Sequence, residues 1–162
     1  MLNYIKRNKG VLLNDDIVIG DDNFERGISR VSMNILKNIE SWDAIYQKRR
    51  ENYQYLLIGL DSNPTFKPLY KTLKDGFCPM TLPLLAAGAE EIIMRLNERG
   101  VPAYAWPGVS NLHPYVQENI NRFPITEFLV NNLIMLPVHQ GLTKRQLDYM
   151  IQELSSEEFS RD

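Results

Sequence analysis

The chain has 162 residues, 44% hydrophobic and 23% charged, so it can bury a core and is not disordered as its main state. Eighteen Lys and Arg against 20 Asp and Glu leave a net charge of −2, which argues against a nucleic-acid or anionic-membrane binder. Cys78, the single cysteine, excludes an internal disulfide and a cysteine zinc cluster and points to a reducing compartment. No apolar run approaches the roughly 18 residues of a membrane span, and the polar, basic stretch Met1–Lys9 lacks the apolar centre of a signal peptide. The expectation is a soluble, cytoplasmic protein.

Residues 10–20 place two short aliphatic runs around Asn14-Asp15-Asp16, the pattern of a small hairpin. Ile28, Val31, Ile35, Ile39, Trp42, Tyr46, Tyr53 and Leu56 then recur at steps of three and four, interrupted only by Arg49, which predicts one face of a helix. Asn23 or Ser29 is placed to cap its start and Gly59 to end it, with Asp61, Asn63 and Pro64 enforcing the stop. A continuous helix from Ile28 to Ile58 spans about 46 Å at 1.5 Å per residue. That is the diameter of a globule of this size, roughly 40 Å, so the helix is expected to bridge two domains or two subunits. The competing expectation is a break near Trp42.

After Pro64 the pattern changes. Residues 66–73 are irregular or a short strand, and residues 77–84 read as a strand whose Pro79 and Pro83 lack ladder donors, which predicts an edge position or pairing on one side only. Ala89, Ile92, Ile93 and Leu96 have core-facing helical spacing, closed by Gly100. A second strand follows over 101–106, then a long polar and aromatic loop over 107–121. Residues 123–131 suit a short helix with Pro124 in its first turn, and 133–136 form a third strand stopped by Pro137. Thr143 and Gln146 form a capping box for a last helix that buries Leu147, Met150, Ile151 and Leu154. The fold class is α+β: a long N-terminal helix, then a small, mainly antiparallel three-stranded sheet with helices on one face.

Little in the chain resembles a catalytic set. His113 and His139 lie outside any metal-binding spacing, and neither a nucleophile elbow nor a glycine-rich phosphate loop occurs. Cys78, on the predicted strand, is expected to be buried and inert. The acidic pairs Asp15-Asp16 and Asp21-Asp22 read as turn formers. The expectation is no catalytic residue, no cofactor-binding residue and no metal ligand. Two places concentrate functional residue types: the run Tyr104-Ala-Trp106-Pro107-Gly-Val-Ser-Asn-Leu-His113-Pro114-Tyr115, and the turn around His139 between a strand and a helix. For the first, the competing reading is a loop packing its own aromatics. For the second, it is a turn histidine that bonds backbone groups.

Three segments resemble one family. Ile39 to Tyr53, containing Arg49-Arg50 and followed by Leu56 and Leu60, resembles the long helix after the large domain of DegT-like sugar aminotransferases. Leu96 to Pro107 resembles the segment leading into that family's His-Tyr-Pro stretch, with Ala105 and Trp106 in place of the His and Tyr, and Leu112-His113 resembles the Leu-His just downstream. Leu136-Pro137-Val138-His139-Gln140-Gly141-Leu142-Thr143 is similar to Leu-Pro-x-His-x-x-Leu-Thr, the most specific of the three. Gly10 to Asp16 is similar to the strand and turn beyond the family's Schiff-base lysine. The resemblance covers about residues 28 to 155.

The family uses pyridoxal phosphate. No serine precedes Lys6 or Lys9, and the family's Asp for the pyridinium nitrogen and its phosphate loop have no counterpart here. The resemblance thus implies the C-terminal, small domain of a fold type I aminotransferase acting on a nucleotide sugar in surface-polysaccharide biosynthesis. The expected organisation is a hairpin remnant of a missing large domain (1–27), a bridging helix (28–60), the small domain (61–155) and a polar tail (156–162). The chain alone is expected to be inactive and without cofactor, to dimerise through the long helix, and to contribute substrate contacts from Trp106, His113, Tyr115 and His139. The alternatives are a stand-alone, non-catalytic binding or dimerisation domain of the same fold, and an unrelated small enzyme using His113 or His139.

Overall fold

A computed structural model describes residues 28–38, 41–106 and 112–156. The predicted hairpin at 10–20 and residues 107–111 of the predicted loop lie outside them. The chain divides after Glu40 into two units. In the first, helix α1 (Arg30–Lys37) starts at Ser29, whose hydroxyl accepts from the Ser32 N–H at 3.0 Å. None of its residues is buried.

The expected single helix is instead two. The backbone N–H of Asn38 closes α1, and α2 (Trp42–Gly59) begins afresh at Ser41. Ser41 is extended, with φ −161° and ψ 118°, and its hydroxyl accepts from the Ala44 N–H at 3.1 Å. A side chain that satisfies an orphan helix-start donor stabilises a new N-terminus, which is what an uninterrupted apolar spacing hides.

In the second unit, β1 (Lys67–Pro68), β2 (Thr81–Leu85) and β3 (Leu133–Pro137) form one antiparallel sheet in the order β1-β2-β3. Leu82 pairs with Leu136 and Leu84 with Ile134, all fully buried on one face. Against them lie Tyr53, Leu56 and Leu60 of α2 and its C-cap, Leu96 of α3 (Ala89–Glu98), and Leu147, Met150 and Leu154 of α6 (Lys144–Leu154). The α+β class, the three antiparallel strands and the helices over the core face follow the sequence expectation.

Three details of the sheet differ. The proline-bearing strand is central and pairs on both sides, not at an edge or on one side only. Pro83 is tolerated because β1 ends beside it: Leu69 N–H donates to Pro83 O at 2.9 Å, and only the return bond is missing. The strand expected over 101–106 shrinks to a bridge, with Tyr104 and Met135 exchanging both backbone bonds at 3.2 and 2.8 Å. The next pair that would exchange bonds in this register is Pro102 and Pro137, and neither has an N–H, so the ladder cannot extend that way. The third strand is Lys67–Pro68. Finally, β2 starts at Thr81, and Cys78 is exposed rather than buried on a strand. Arg50 captures Phe77 O at 2.9 Å and Pro79 brings no donor, which keeps that stretch out of the ladder.

Two helix ends are as expected. Gly100 follows α3 with φ +84°, a conformation that favours glycine, and Thr143 and Gln146 form the capping box of α6. Replacing Thr143 with Ala should lower stability by about 1 kcal/mol, read as a shift in the denaturation midpoint. Gly59, expected to stop α2, is still helical, and Leu60 is the C-cap. A Cβ on Gly59 would stand 2.3 Å from Ile151 Cδ1, so the glycine lets α2 approach α6. Gly59→Ala alone should destabilise, whereas in an Ile151→Ala background it should stabilise by up to about 1 kcal/mol through helix propensity. Additive effects in that double-mutant cycle would contradict the close approach.

Candidate functional site

From residue 112 onward the predicted loop holds regular structure. Pro114–Glu118 forms the short helix α4, Ile120–Arg122 a 3-10 turn, and α5 runs over Pro124–Asn132 with its proline in the first turn. His113 begins α4: its Nδ1 accepts from the Tyr115 N–H at 3.2 Å, and Pro114 presets the first helical φ. Tyr115 is half exposed. Its hydroxyl accepts from Arg122 Nη1 at 3.1 Å, and its ring meets Phe123 edge-on, with centroids 6.4 Å apart. Trp106 is 62% exposed.

His139 stands on the turn between β3 and α6. Its Nδ1 accepts from the Gly141 N–H at 3.0 Å, while its carbonyl accepts from Leu142 N–H at 3.0 Å. The turn is also held from α2. The Asn52 amide donates to His139 O at 2.8 Å and to Val138 O at 3.5 Å, and Arg49 Nε donates to Gln140 Oε1 at 2.9 Å. Asn52 is 1% exposed, and in these two carbonyls its buried amide finds the partners such a group requires.

Of the four residues expected to contact substrate, Trp106 stands two residues after the Tyr104 bridge and joins neither of two groups. His113 and Tyr115 share one helix start, and His139 belongs to the turn stapled to α2. In both histidines Nδ1 accepts a backbone N–H, which leaves Nε2 as the protonated nitrogen of the neutral ring. The paired arginines diverge: Arg49 reaches the His139 turn, while Arg50 donates to Lys74 O and Phe77 O, both at 2.9 Å, and stacks 5.3 Å over Tyr46. Sequence reasoning missed Asn52. Its signal was the interruption of the apolar stripe at Arg49, because the α2 face that buries Tyr53 and Leu56 turns polar toward this turn. Burial pushes the Tyr53 phenol above its ordinary pKa, and its hydroxyl donates to Tyr70 O at 2.9 Å.

Two cavities flank α5. One, of about 230 Å³, is lined by Leu112, Gln117, Ile120, Glu127, Val130 and Asn131. The other lies between the start of α3, at Gly88–Glu91, and the end of α5. None of Trp106, His113, Tyr115 or His139 lines either. Among the described residues no group of three or more His, Cys, Asp or Glu could hold a metal ion, and no helix is long and apolar enough to cross a membrane.

A pyridoxal cofactor is held through a lysine facing a walled pocket, with a carboxylate on its ring nitrogen. Lys37, Lys48, Lys67, Lys71, Lys74 and Lys144, the lysines among the described residues, are all exposed. Those residues by themselves do not fit the cofactor. Lys6 and Lys9 lie outside them.

An antiparallel three-stranded sheet roofed by α2, α3 and α6, with the Leu136–Thr143 turn pinned to α2, is the layer expected of an aminotransferase small domain. The chain belongs to the DegT/DnrJ/EryC1/StrS aminotransferase family, whose model matches residues 31–155. Its fold is similar to the PLP form of Spr1654 from Streptococcus pneumoniae, assigned as a sugar aminotransferase, with 20% identity and TM-score 0.64 over 76% of this chain and 34% of that one. It is also similar to Helicobacter pylori PseC, an aminotransferase of pseudoaminic acid biosynthesis, with 21% identity and TM-score 0.57 over 74% and 34% of the two chains. A third match is S. venezuelae DesV in complex with a ketimine intermediate, with 18% identity and TM-score 0.62 over 74% and 33%. The chain spans about a third of the length of these proteins. No curated protein sequence matches it at a significant level.

Proposed function

We propose that this chain is the C-terminal, small domain of a pyridoxal-phosphate-dependent aminotransferase that acts on a nucleotide-linked keto-sugar in surface-polysaccharide biosynthesis, with glutamate as amino donor. The observation that carries the reading is the extent of the family match. It runs from α1 through α6 and takes in the His139 turn, while the described residues contain no lysine suited to the cofactor. In this reading the large domain supplies the cofactor pocket. The chain supplies substrate walls and, through α1, a contact between two copies. Trp106 offers a flat apolar face to a sugar ring. His113, Tyr115 and His139 offer N–H and O–H donors to sugar or phosphate oxygens. The site is cytoplasmic, where nucleotide sugars are made.

The test begins with the DNA upstream of Met1. An open frame encoding a Ser-x-x-Lys segment should, when expressed joined to this chain, yield a protein with pyridoxal absorbance that transaminates a nucleotide keto-sugar with glutamate. A joined protein that binds no cofactor would sink the reading. A stop codon with its own ribosome site would favour the stand-alone binding domain.

The chain alone should take up no cofactor at a defined lysine. After incubation with pyridoxal phosphate and borohydride, mass spectrometry should show no stoichiometric adduct on one residue. Scattered modification of surface lysines is compatible with the reading, whereas one saturated lysine contradicts it.

A further inference from the structure

We infer that Asn52 and Gly141 are positioning residues that lock the His139 imidazole with Nε2–H outward, as a preformed donor to an anionic or hydroxyl oxygen of a ligand. The donor role rests on the proposed function; the locking does not.

An exposed histidine normally samples several rotamers and both tautomers. His139 is exposed, yet one bond holds its ring and several hold its turn. The Gly141 N–H points at Nδ1 from 3.0 Å, which selects the tautomer. The Gly141 Cα lies so close that a Cβ would stand 3.1 Å from Nδ1 and 3.4 Å from Cε1, so the ring would have to give by a few tenths of an ångström to admit one. Gly141 is not among the glycines with positive φ, so here the glycine serves close approach rather than backbone freedom. The His139 carbonyl is fixed by Leu142 N–H and by the Asn52 amide, and Asn52, buried in α2, ties the turn to that helix. Arg49 adds a bond to Gln140. A turn that needs only to reverse the chain does not require a buried amide, a side-chain clamp and a glycine against an imidazole. Together they hold one nitrogen in a set direction, and preorganisation of that kind strengthens a hydrogen bond to a bound ligand.

The full chain carries two histidines, His113 and His139, so their ring nitrogens are easily told apart once His139→Gln removes one set. The experiment is 15N NMR of the uniformly labelled full chain at about pH 8, where an imidazole is neutral. His139 should show a protonated Nε2 and an acceptor Nδ1, with scalar coupling across the hydrogen bond to the Gly141 amide. Gly141→Ala keeps the N–H but crowds the ring, so it should weaken that coupling while the His113 signals stay in place. Asn52→Leu should weaken it; should that variant not fold, Gly141→Ala, in an exposed turn, decides alone. Inorganic phosphate is the oxygen probe: it should shift the His139 Nε2–H signal more in the wild type than in Gly141→Ala. A wild-type ring without the coupling, or with its proton on Nδ1, overturns the locking. Equal phosphate shifts in both proteins overturn the donor role. A joined enzyme without transaminase activity would count against the proposed function and leave the ring spectrum as it is.

Discussion

Phe66→Ala should destabilise the second unit by roughly 3–5 kcal/mol, the range for removing a fully buried aromatic side chain. Phe66 is 0% exposed and belongs to the cluster formed by α2, the sheet and α6. It enters that cluster from an irregular stretch, where Asn63 Oδ1 accepts the N–H groups of Thr65 and Phe66, both at 3.0 Å, while the Asn63 amide donates to Leu154 O at 3.0 Å. The backbone before Phe66 is thereby fixed to the end of α6, so the ring cannot easily be replaced by collapse of its neighbours. Domains of this size carry about 5–15 kcal/mol in total, so the loss is a large share. Phe77→Ala is the matched control. Its ring is 63% exposed, and the change should fall within about 0.5 kcal/mol. Urea denaturation of both variants reads the difference as a midpoint shift at unchanged slope. Equal midpoints would place Phe66 outside the core.

Phe66 also marks where the sequence was hard to read. Its neighbours carry no period, and its burial comes from the Asn63 bonds rather than from alternation. The regular pieces were legible because their signals are local. The Thr143–Gln146 box, Pro124 in a first turn, Gly100 after α3 and the stripe Ala89, Ile92, Ile93, Leu96 each depend on residues within a few positions. Sheet order was not legible, because which strand is central depends on partners far along the chain. Pro83 suggested an edge, and only the two-residue length of β1 makes a central proline harmless. The break between α1 and α2 was hidden because Ser41 preserves the apolar spacing on either side while capping a new start. At the candidate site, the motif around His139 was legible as a resemblance, but its support was not. Asn52 is separated from the turn by most of the domain in sequence, and the break in the stripe at Arg49 does not say which polar residue of α2 is buried.

Ile35→Asp should turn a dimer of this chain into a monomer. The helix α1 buries none of its residues, and Ile28, Val31 and Ile35, three aliphatic residues at steps of three and four, are 50%, 70% and 61% exposed. A helix of eight residues is marginal in water without a surface to pack against, so its apolar side calls for a partner. Burying a large aliphatic side chain gains roughly 1.5–3 kcal/mol. Six such residues in a two-fold pair bring the gross gain to the order of 10 kcal/mol, against an association cost of about 4–15 kcal/mol. The two are comparable, so only a small surplus is left, which predicts a weak dimer that forms at high concentration. Two-fold symmetry is the default, because one stripe then serves both copies. An aspartate at position 35 would place a charge in the middle of that contact, where burial without a partner is strongly unfavourable. Met33 and Leu36 flank the stripe at 39% and 46% exposure, so the contact has room to be wider than three residues per copy. Light scattering across a dilution series should show two chains per particle at high concentration for the wild type and one at every concentration for Ile35→Asp. Circular dichroism of the variant should keep the signal of the second unit, since Ile35 lies outside it, and lose no more than the contribution of α1. A wild-type mass of one chain at the highest concentration would mean that this stripe is not a contact between copies, and the two-fold pairing in the proposed function would fall with it.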